Sequence, residues 1–512
     1  MKKLFFITVN IVILLALLSI SVSIAFSVDA SNVKIIDTAG CNLAIVEETA
    51  QNTFSLQSTS GASNWFATVF EGVSTGHPTT FSLRMEGTGV NETDSDLGKW
   101  SGLWPVYTYG KYLDYDTYIY YAKNADGYWV SSDVFAFDKL AGNNKTPIQT
   151  VIPAELAEEF LSEDGTYWSP WQEIKEHKIN VGNKFFDVTK QFNSSDIAFA
   201  MRVPYTYDYE KEYMSKLKEA NISGVTLHEI GKSTEEHDLY VVEVSDPKAS
   251  KEELQERRVV LMYADEDGNE PDGSWVVNGA MNYLIQGIKE NDKEVMKVLS
   301  EVTFLFIPML DPVGWSDSTY AKMTYDFKYE AKPVRPEVLA YANFVIDWCG
   351  EKENRLDVVV NLHNVECNEA PNVLCPILEA NQVEEIDNLN KFLLLRLKEL
   401  QDVHISNTYW ILGGFSRNRL AGWAAHFWGN IQIAYEINSR YPENRLSLND
   451  LDTLGKSFVL SFREYFNSEE YERAFLLMEK RRYAQMKLRK EMLPGYLRYS
   501  DMDDYRILGR GF

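Results

Sequence analysis

Cysteine is scarce in this chain: Cys41, Cys349, Cys367 and Cys375 are the four in 512 residues. Their spacing matches no zinc-finger arrangement, which excludes a cysteine-built metal module. In an oxidising compartment Cys367 and Cys375 could pair; unpaired buried thiols account for them equally well. Positive charge is also short, with 50 Lys and Arg against 75 Asp and Glu and a formal net charge of −25. A polyanion gains little from such a surface, so no nucleic-acid partner is expected. There is no internal repeat and no low-complexity stretch, which excludes a solenoid or a linker-dominated chain.

Apolar material is plentiful. Hydrophobic residues make up 45% of the chain and aromatic residues 13%. Disorder over most of the length is therefore excluded, and the length suggests about two to four domains. At the amino terminus, Lys2 and Lys3 precede an apolar run from Leu4 to about Phe26, with small residues around Ser27 to Ser31. That is the layout of an export signal, and it implies a secreted, periplasmic or cell-surface protein. The run is long for a cleaved signal and nearly long enough to span a bilayer. Cleavage and an uncleaved anchor both stay open, and membrane contact is expected only through this segment. No cysteine follows the run closely, which argues against a lipid-modified terminus.

From about Val33 to Met201 the chain is rich in Thr, Ser, Tyr, Phe, Trp and Gly. Alternating runs such as Tyr118-Ile119-Tyr120-Tyr121 and Trp129-Val130-Ser131-Ser132 predict strands between Gly and Asn/Asp turns. Together they predict an antiparallel β-sandwich. Pro204-Tyr205-Thr206-Tyr207 opens a change of character, with a helical pattern over Tyr209 to Ala220 and strand-like runs over Val225 to Ile230 and Leu239 to Val244. After Lys251, buried strands alternate with helices, the signature of an α/β domain. The runs 259–264, 302–308, 358–362 and 430–435 are apolar without alternation, so both faces of their sheet are covered. Val276, Val277, Ala280, Met281, Leu284, Ile285 and Ile288 form a helical stripe. Pro336 to Trp348 and Gln382 to Leu400 predict further helices. Tyr471 to Met492 predicts a last helix with a solvated basic face, including Arg473, Lys480 and Arg481.

Ligands of α/β sheets bind beyond the carboxyl ends of the strands. The first run leads into Asp265-Glu266-Asp267-Gly268-Asn269-Glu270, an acidic, glycine-bearing loop that enters the striped helix. Asp311-Pro312-Val313-Gly314 follows the second run, His363 the third and Glu436 the fourth. A lone histidine after a strand is more often structural than ligating, and a lone carboxylate usually caps a helix or meets water. One histidine and several carboxylates at one sheet edge say more. A hydrolytic metal site needs about three protein ligands, an open position for water and a nearby base.

These residues carry a resemblance to the zinc metallocarboxypeptidases, most of all to the branch that includes cytosolic carboxypeptidases. The family's His-x-x-Glu pair, then Ser-Trp and Gly, is met by Asp267-Gly268-Asn269-Glu270, Ser274-Trp275 and Gly279. Its Asn-Pro-Asp-Gly is met by Asp311-Pro312-Val313-Gly314, its Asp-Leu-His strand end by Asn361-Leu362-His363, and its late catalytic Glu by Ala434-Tyr435-Glu436. Ile197-Ala198-Phe199, Pro204-Tyr205-Thr206-Tyr207 and Gly231-Lys232-Ser233 resemble the branch as well, and the resemblance spans roughly residues 45 to 465. It implies a mixed central sheet flanked by helices, preceded by the sandwich. The expected organisation is a signal peptide or anchor over 1–30, the sandwich over 31–207, the carboxypeptidase-like α/β domain over 208–468 and a basic helical tail over 469–512.

The resemblance also implies one zinc ion held by Asp267, Glu270 and His363. A metal-activated water, with Glu436 as general base, would then cleave peptide or peptide-like amide bonds. Two departures stand out. Asp267 replaces the first ligand histidine; aspartate ligates zinc at similar distance, but two carboxylates and one imidazole neutralise the dication and leave bound water less acidified. No arginine lies between Gly314 and Glu330, where the family holds the substrate carboxylate, and Lys322 or Lys328 offers no guanidinium fork. Tyr435 and Arg417 are weaker pocket candidates, for which core packing and a surface ion pair are the preferred explanations. Two other functions stay open: a catalytically inactive binding homologue, and a carbohydrate- or surface-binding sandwich using Trp100, Trp104, Trp129, Trp168 and Trp171, although such aromatics are usually core.

Overall fold

A computed structural model describes residues 33–36, 43–58, 67–84, 106–109, 120–123, 129–132, 172–173, 177–180, 185–200, 203–266, 270–312, 335–351, 355–364, 373–379, 382–397, 404–405, 410–412, 420, 424–425, 428–437, 446 and 448–492. Its first strands are β1 (Lys34–Ile36), β2 (Leu43–Ala50), β3 (Thr53–Ser58), β4 (Ala67–Glu71), β5 (Thr79–Arg84) and β6 (Val106–Tyr109). They are followed by β7 (Tyr120–Lys123), β8 (Trp129–Ser132), β9 (Gln172–Glu173), β10 (His177–Asn180), β11 (Phe185–Lys190) and β12 (Ile197–Ala200). Among the described residues they form two five-stranded sheets, ordered β1-β4-β12-β6-β9 and β10-β11-β5-β3-β2, with β7 and β8 as a separate pair. The expected antiparallel pairing is present, except that β3 and β5 run parallel. Phe70 and Phe81 stack at 4.3 Å, and Phe54, Phe192 and Phe199 surround them. The described phenylalanines of this region therefore build its core. The five tryptophans weighed for sugar binding have side chains outside the described residues.

Helix α1 (Tyr207–Ala220) follows, capped by Thr206, whose hydroxyl accepts from the Tyr209 amide. It brings a buried polar ladder against the later helices. Tyr205 donates to Glu210 at 2.7 Å, Asn278 donates to Tyr205 and Tyr209, and Tyr213 donates to Asn282. Burial pushes the Glu210 carboxyl up from 4.5 to about 8, opposed only in part by the Tyr205 hydrogen bond. Between those values the unfolded chain releases a proton that the folded chain keeps. Stability therefore falls as pH rises from about 4.5 to 8. Glu210→Gln keeps an acceptor for Tyr205 and removes the titration. Thermal melts should show it more stable than wild type at pH 8, by an amount on the order of a few kcal/mol, with a flatter pH profile. A wild-type slope retained in the variant would remove Glu210 as its cause.

The largest sheet is built from β13 (Val225–Lys232), β14 (Asp238–Val244), β15 (Arg258–Ala264), β16 (Val302–Ile307), β17 (Val358–Asn364), β18 (Val373–Glu379), β19 (His404–Ile405), β20 (Trp410–Leu412) and β21 (Ile431–Ile437). Among the described residues it has nine strands in the order β13-β14-β16-β15-β17-β21-β18-β19, with β20 beside β18. The central β16, β15, β17 and β21 are mutually parallel, and antiparallel pairs flank them on both sides. The expected mixed sheet is thus present. The helices are α2 (Lys251–Glu256), α3 (Pro271–Glu290), α4 (Lys293–Leu299), α5 (Pro336–Ile346), α6 (Val383–Leu397), α7 (Leu448–Phe466) and α8 (Glu469–Met492).

Strand alternation sends Val260, Met262, Val358 and Val360 into a core shared with α3 and α7. It sends Leu261, Tyr263 and Val359 into a second core under α5 and Trp428. Both faces are covered, which is why these strands read as unbroken apolar runs. α3 and α7 cross closely: a Cβ on Gly455 would lie 2.3 Å from Val276 O, and one on Gly279 2.5 Å from Asp452 Cα. No helix among the described residues is long and apolar enough to cross a membrane. The apolar run of residues 4–26 lies outside them.

Candidate functional site

The site forms where the parallel strands end. β17 and β21 are in register with His363 beside Glu436, and β15 pairs with β17 with Tyr263 beside Asn361. Alternation puts Asn361 and His363 on one face of β17, together with Tyr263 of the neighbouring strand. At the end of β15, Asp265 is fully buried and takes φ 57°, a left-handed conformation that costs a non-glycine residue energy.

The start of α3 is pressed onto β17. A Cβ on Gly273 would meet Leu362 O at 2.5 Å, so only glycine allows this approach. Asn364 then clasps the first turn. Its Oδ1 accepts from the Asp272 amide at 2.9 Å, and its Nδ2 donates to Asp272 Oδ2 at 2.5 Å. Glu270 occupies the N-cap but makes no side-chain cap bond. Its carboxylate is turned to His363 instead, with Oε2 2.7 Å from Nδ1. The positive end of the helix favours a carboxylate there.

Behind His363 lies a buried polar chain. Nε2 is 2.6 Å from Asn361 Nδ2, which donates to Glu266 Oε2 at 2.5 Å, and Tyr263 Oη donates to the same oxygen at 3.0 Å. Glu266 is 1% exposed and His363 5%, so these two are coupled through Asn361 in a setting shielded from bulk water; Glu436, beside His363 on the next strand, is 9% exposed. Glu266 and Asn361 are members of the site that sequence reasoning missed. The available signal was Asn361, two residues before His363 and hence on its face of the strand.

Of the four predicted site residues, Glu270 and His363 are in contact and Glu436 holds the neighbouring strand position. Asp267 lies outside the described residues, as do Arg417, Lys322 and Lys328. Tyr435 is a core residue: it is fully buried on the opposite face, packs edge-on against Phe458 and donates to Asn390 at 2.5 Å. Arg335, just past the stretch expected to hold a substrate carboxylate, forks onto Asp311 at 2.6 and 2.8 Å and also meets Glu337 at 3.2 Å. Cys349 is a buried free thiol. Cys41, Cys367 and the Cys375 side chain fall outside the described residues.

Carboxylate oxygen and imidazole nitrogen are donor types that zinc takes. Their 2.7 Å separation is that of a hydrogen bond, whereas two ligands of one zinc ion stand roughly 3 Å or more apart. The pair thus fits two of three ligands after a small opening. Among the described residues no third His, Cys, Asp or Glu joins them.

Comparison with known proteins agrees with the fold. Residues 210–325 match the zinc carboxypeptidase family. Cytosolic carboxypeptidase 3 of Mus musculus is 28% identical over 163 residues, which cover 28% of this chain and 15% of that protein. The metallo-carboxypeptidase of Burkholderia cenocepacia superimposes with a TM-score of 0.58 at 14% identity, covering 85% of this chain and 99% of that one. The metallo-carboxypeptidase of Pseudomonas aeruginosa, solved with (2-guanidinoethylmercapto)succinic acid, gives 0.57 at 14% identity, with 84% and 98% covered. At these identities the likeness is one of fold: the chain has the metallocarboxypeptidase fold, a mixed sheet flanked by helices.

Proposed function

We propose that this chain, built on the zinc carboxypeptidase fold, is a metal-dependent hydrolase of peptide or peptide-like amide bonds. Glu270, His363 and Asp267 would hold one zinc ion, and Glu436 would be the general base. The contact between Glu270 Oε2 and His363 Nδ1, made at the carboxyl edge of the parallel strands beside Glu436, carries the reading. The family match over residues 210–325 supports a peptidase-like hydrolase and a zinc cofactor. The apolar run after Lys2 and Lys3 supports export of the chain to its substrate.

When bound there, zinc supplies a Lewis acid for the amide carbonyl and for water. The Asn364–Asp272 clasp fixes the start of α3 and so holds Glu270 against His363. Glu436, on a strand covered on both faces, takes the proton of the attacking water and returns it to the leaving nitrogen. Burial at this edge excludes bulk water and strengthens each of these contacts.

Metal analysis tests the proposal. Wild-type protein reloaded with zinc should retain about one equivalent, and His363→Ala should lose it while keeping its circular dichroism. A wild-type chain that keeps no zinc rejects the metal reading. Zinc retained without hydrolysis of any peptide in a panel favours the inactive binding homologue, which Asp267 in place of histidine already motivates.

A further inference from the structure

We propose that α8, with the outward side of α6, docks this protein on an anionic phospholipid bilayer, a membrane contact separate from the apolar run of residues 4–26 and independent of the zinc site. Leu394 and Leu395 of α6 are 40% and 54% exposed, and Leu476 and Leu477 of α8 are 63% and 44% exposed. Among the described residues these four are the exposed large hydrophobic side chains. Single exposed leucines are ordinary on a protein surface. Two adjacent pairs, on two neighbouring helices, call for a cause.

The two helices share one side of the molecule. Both pack on the core shared with α3 and α7, through Leu389, Leu393 and Leu397 of α6 and Tyr471 and Met478 of α8. Tyr465 of α7 lies between them, its ring 6.0 Å from Phe392 and 5.2 Å from Tyr471. At about 100° per residue, each leucine pair falls on the side of its helix turned away from those rings. Lys391 lies one turn before the first pair. Arg473 and Lys480 lie one turn before and one turn after the second, and all three are exposed.

The helix then turns basic. α8 runs on to Met492. Between Lys480 and Lys490 it holds Lys480, Arg481, Arg482, Lys487, Arg489 and Lys490 and no Asp or Glu, in a chain of net charge −25. Glu472 and Glu479 offset the charge beside the leucines, so the positive excess lies in the carboxyl-terminal half of the helix. Exposed leucines followed by a dense basic run are what an interfacial helix uses: apolar side chains for the acyl boundary and cations for the headgroups. A purely acidic surface would pair with the cations and leave the leucines in water, whereas an anionic bilayer takes both. The acidic body does not prevent approach, because at physiological salt its charges are largely screened beyond about 8 Å. Tyr471 fastens α8 to Asp357, just before β17, at the amino end of the parallel strands. The contact thus lies across the sheet from the site at their carboxyl ends.

Co-sedimentation of the full chain with vesicles tests this, comparing phosphatidylcholine alone with phosphatidylcholine plus phosphatidylglycerol. Phosphatidylcholine alone reports whatever the N-terminal run contributes, and the phosphatidylglycerol-dependent excess reports α8. That excess should be present at about 0.1 M salt and fall steeply by about 1 M, where the Debye length is about 3 Å. Lys480→Gln with Arg481→Gln and Arg482→Gln should weaken it about 100-fold, roughly 5-fold for each charge. Leu476→Ser with Leu477→Ser should weaken it about 10-fold. Both variants should keep the wild-type melting temperature, since Leu476, Leu477 and Lys480 are exposed. If the N-terminal run holds the chain on both kinds of vesicle, hydrogen exchange gives the reading instead: amides of residues 469–492 should slow with phosphatidylglycerol vesicles only. The absence of both the excess and the slowed exchange overturns the proposal, as does an excess that the basic variant leaves at wild-type strength. An excess that the basic variant loses and the leucine variant keeps in full is charge pairing with any acidic surface, and it equally rejects docking into a bilayer.

Discussion

Glu436→Gln is expected to lower amide hydrolysis by about 10²- to 10⁴-fold, the usual contribution of a positioned general base. Zinc content and melting temperature should stay near wild type. Glutamine keeps the volume and an acceptor oxygen but cannot hold the proton between attack and departure of the amine. The loss should fall on kcat as much as on kcat/KM, because the interaction is made at the reacting atoms and not in ground-state binding. The placement supports this. Glu436 sits beside His363 on the parallel partner strand and is 9% exposed, so its carboxylate is held by the sheet. A purely structural Glu436 predicts the opposite pattern: a lower melting temperature with a rate within a few-fold of wild type, which would end its assignment as the base.

The parts of the site legible in the sequence are those that local patterns place. β15, β16, β17 and β21 are buried on both faces, so each shows as an apolar run with its chemistry-bearing residue at or just past the end. Glu270 is legible because Pro271 and the following apolar stripe announce a helix start. His363 and Glu436 are legible as strand-end residues. Glu266 and Asn361 are not, because their contact depends on the β15–β17 register, and no single segment encodes that register. β18 is hidden for a different reason. Pro376 interrupts it, and proline is ordinarily confined to edges, yet here it lies between β21 and the short β19 and β20. The helix over Pro336 to Trp348 is read almost correctly; α5 ends at Ile346 and runs into a π-helical turn, Asp347–Glu351, that hydrophobic spacing does not distinguish.

The last helix shows the same limit, and it carries the second large expected effect. Its basic residues Arg473 and Lys480 are exposed, as the charge pattern implies, but Tyr471, Ala474 and Met478 are buried. Tyr471 donates to Asp357 at 2.9 Å, and burial holds its hydroxyl well above its ordinary range, so it remains a donor. The fully buried Asp357 carboxylate also accepts from the Val259 amide at 2.9 Å and from Arg355 at 2.7 and 3.2 Å. Arg258 and Arg355 lie over the Phe475 ring at 4.7 and 5.0 Å. One carboxylate thus ties β15, the start of β17 and α8 together at the edge of the sheet opposite the site. Asp357→Leu should destabilise the fold by about 3–5 kcal/mol, since it strands a partly buried guanidinium and two other donors at once. Tyr471→Phe removes one hydrogen bond and should cost only about 1 kcal/mol. Denaturant melts of both variants decide the matter. If Asp357→Leu falls as little as Tyr471→Phe, the attachment of α8 rests on its apolar contacts instead. If the expected gap appears, removing residues 469–512 should destabilise the chain at least as much as Asp357→Leu, because α8 then takes its buried face with it.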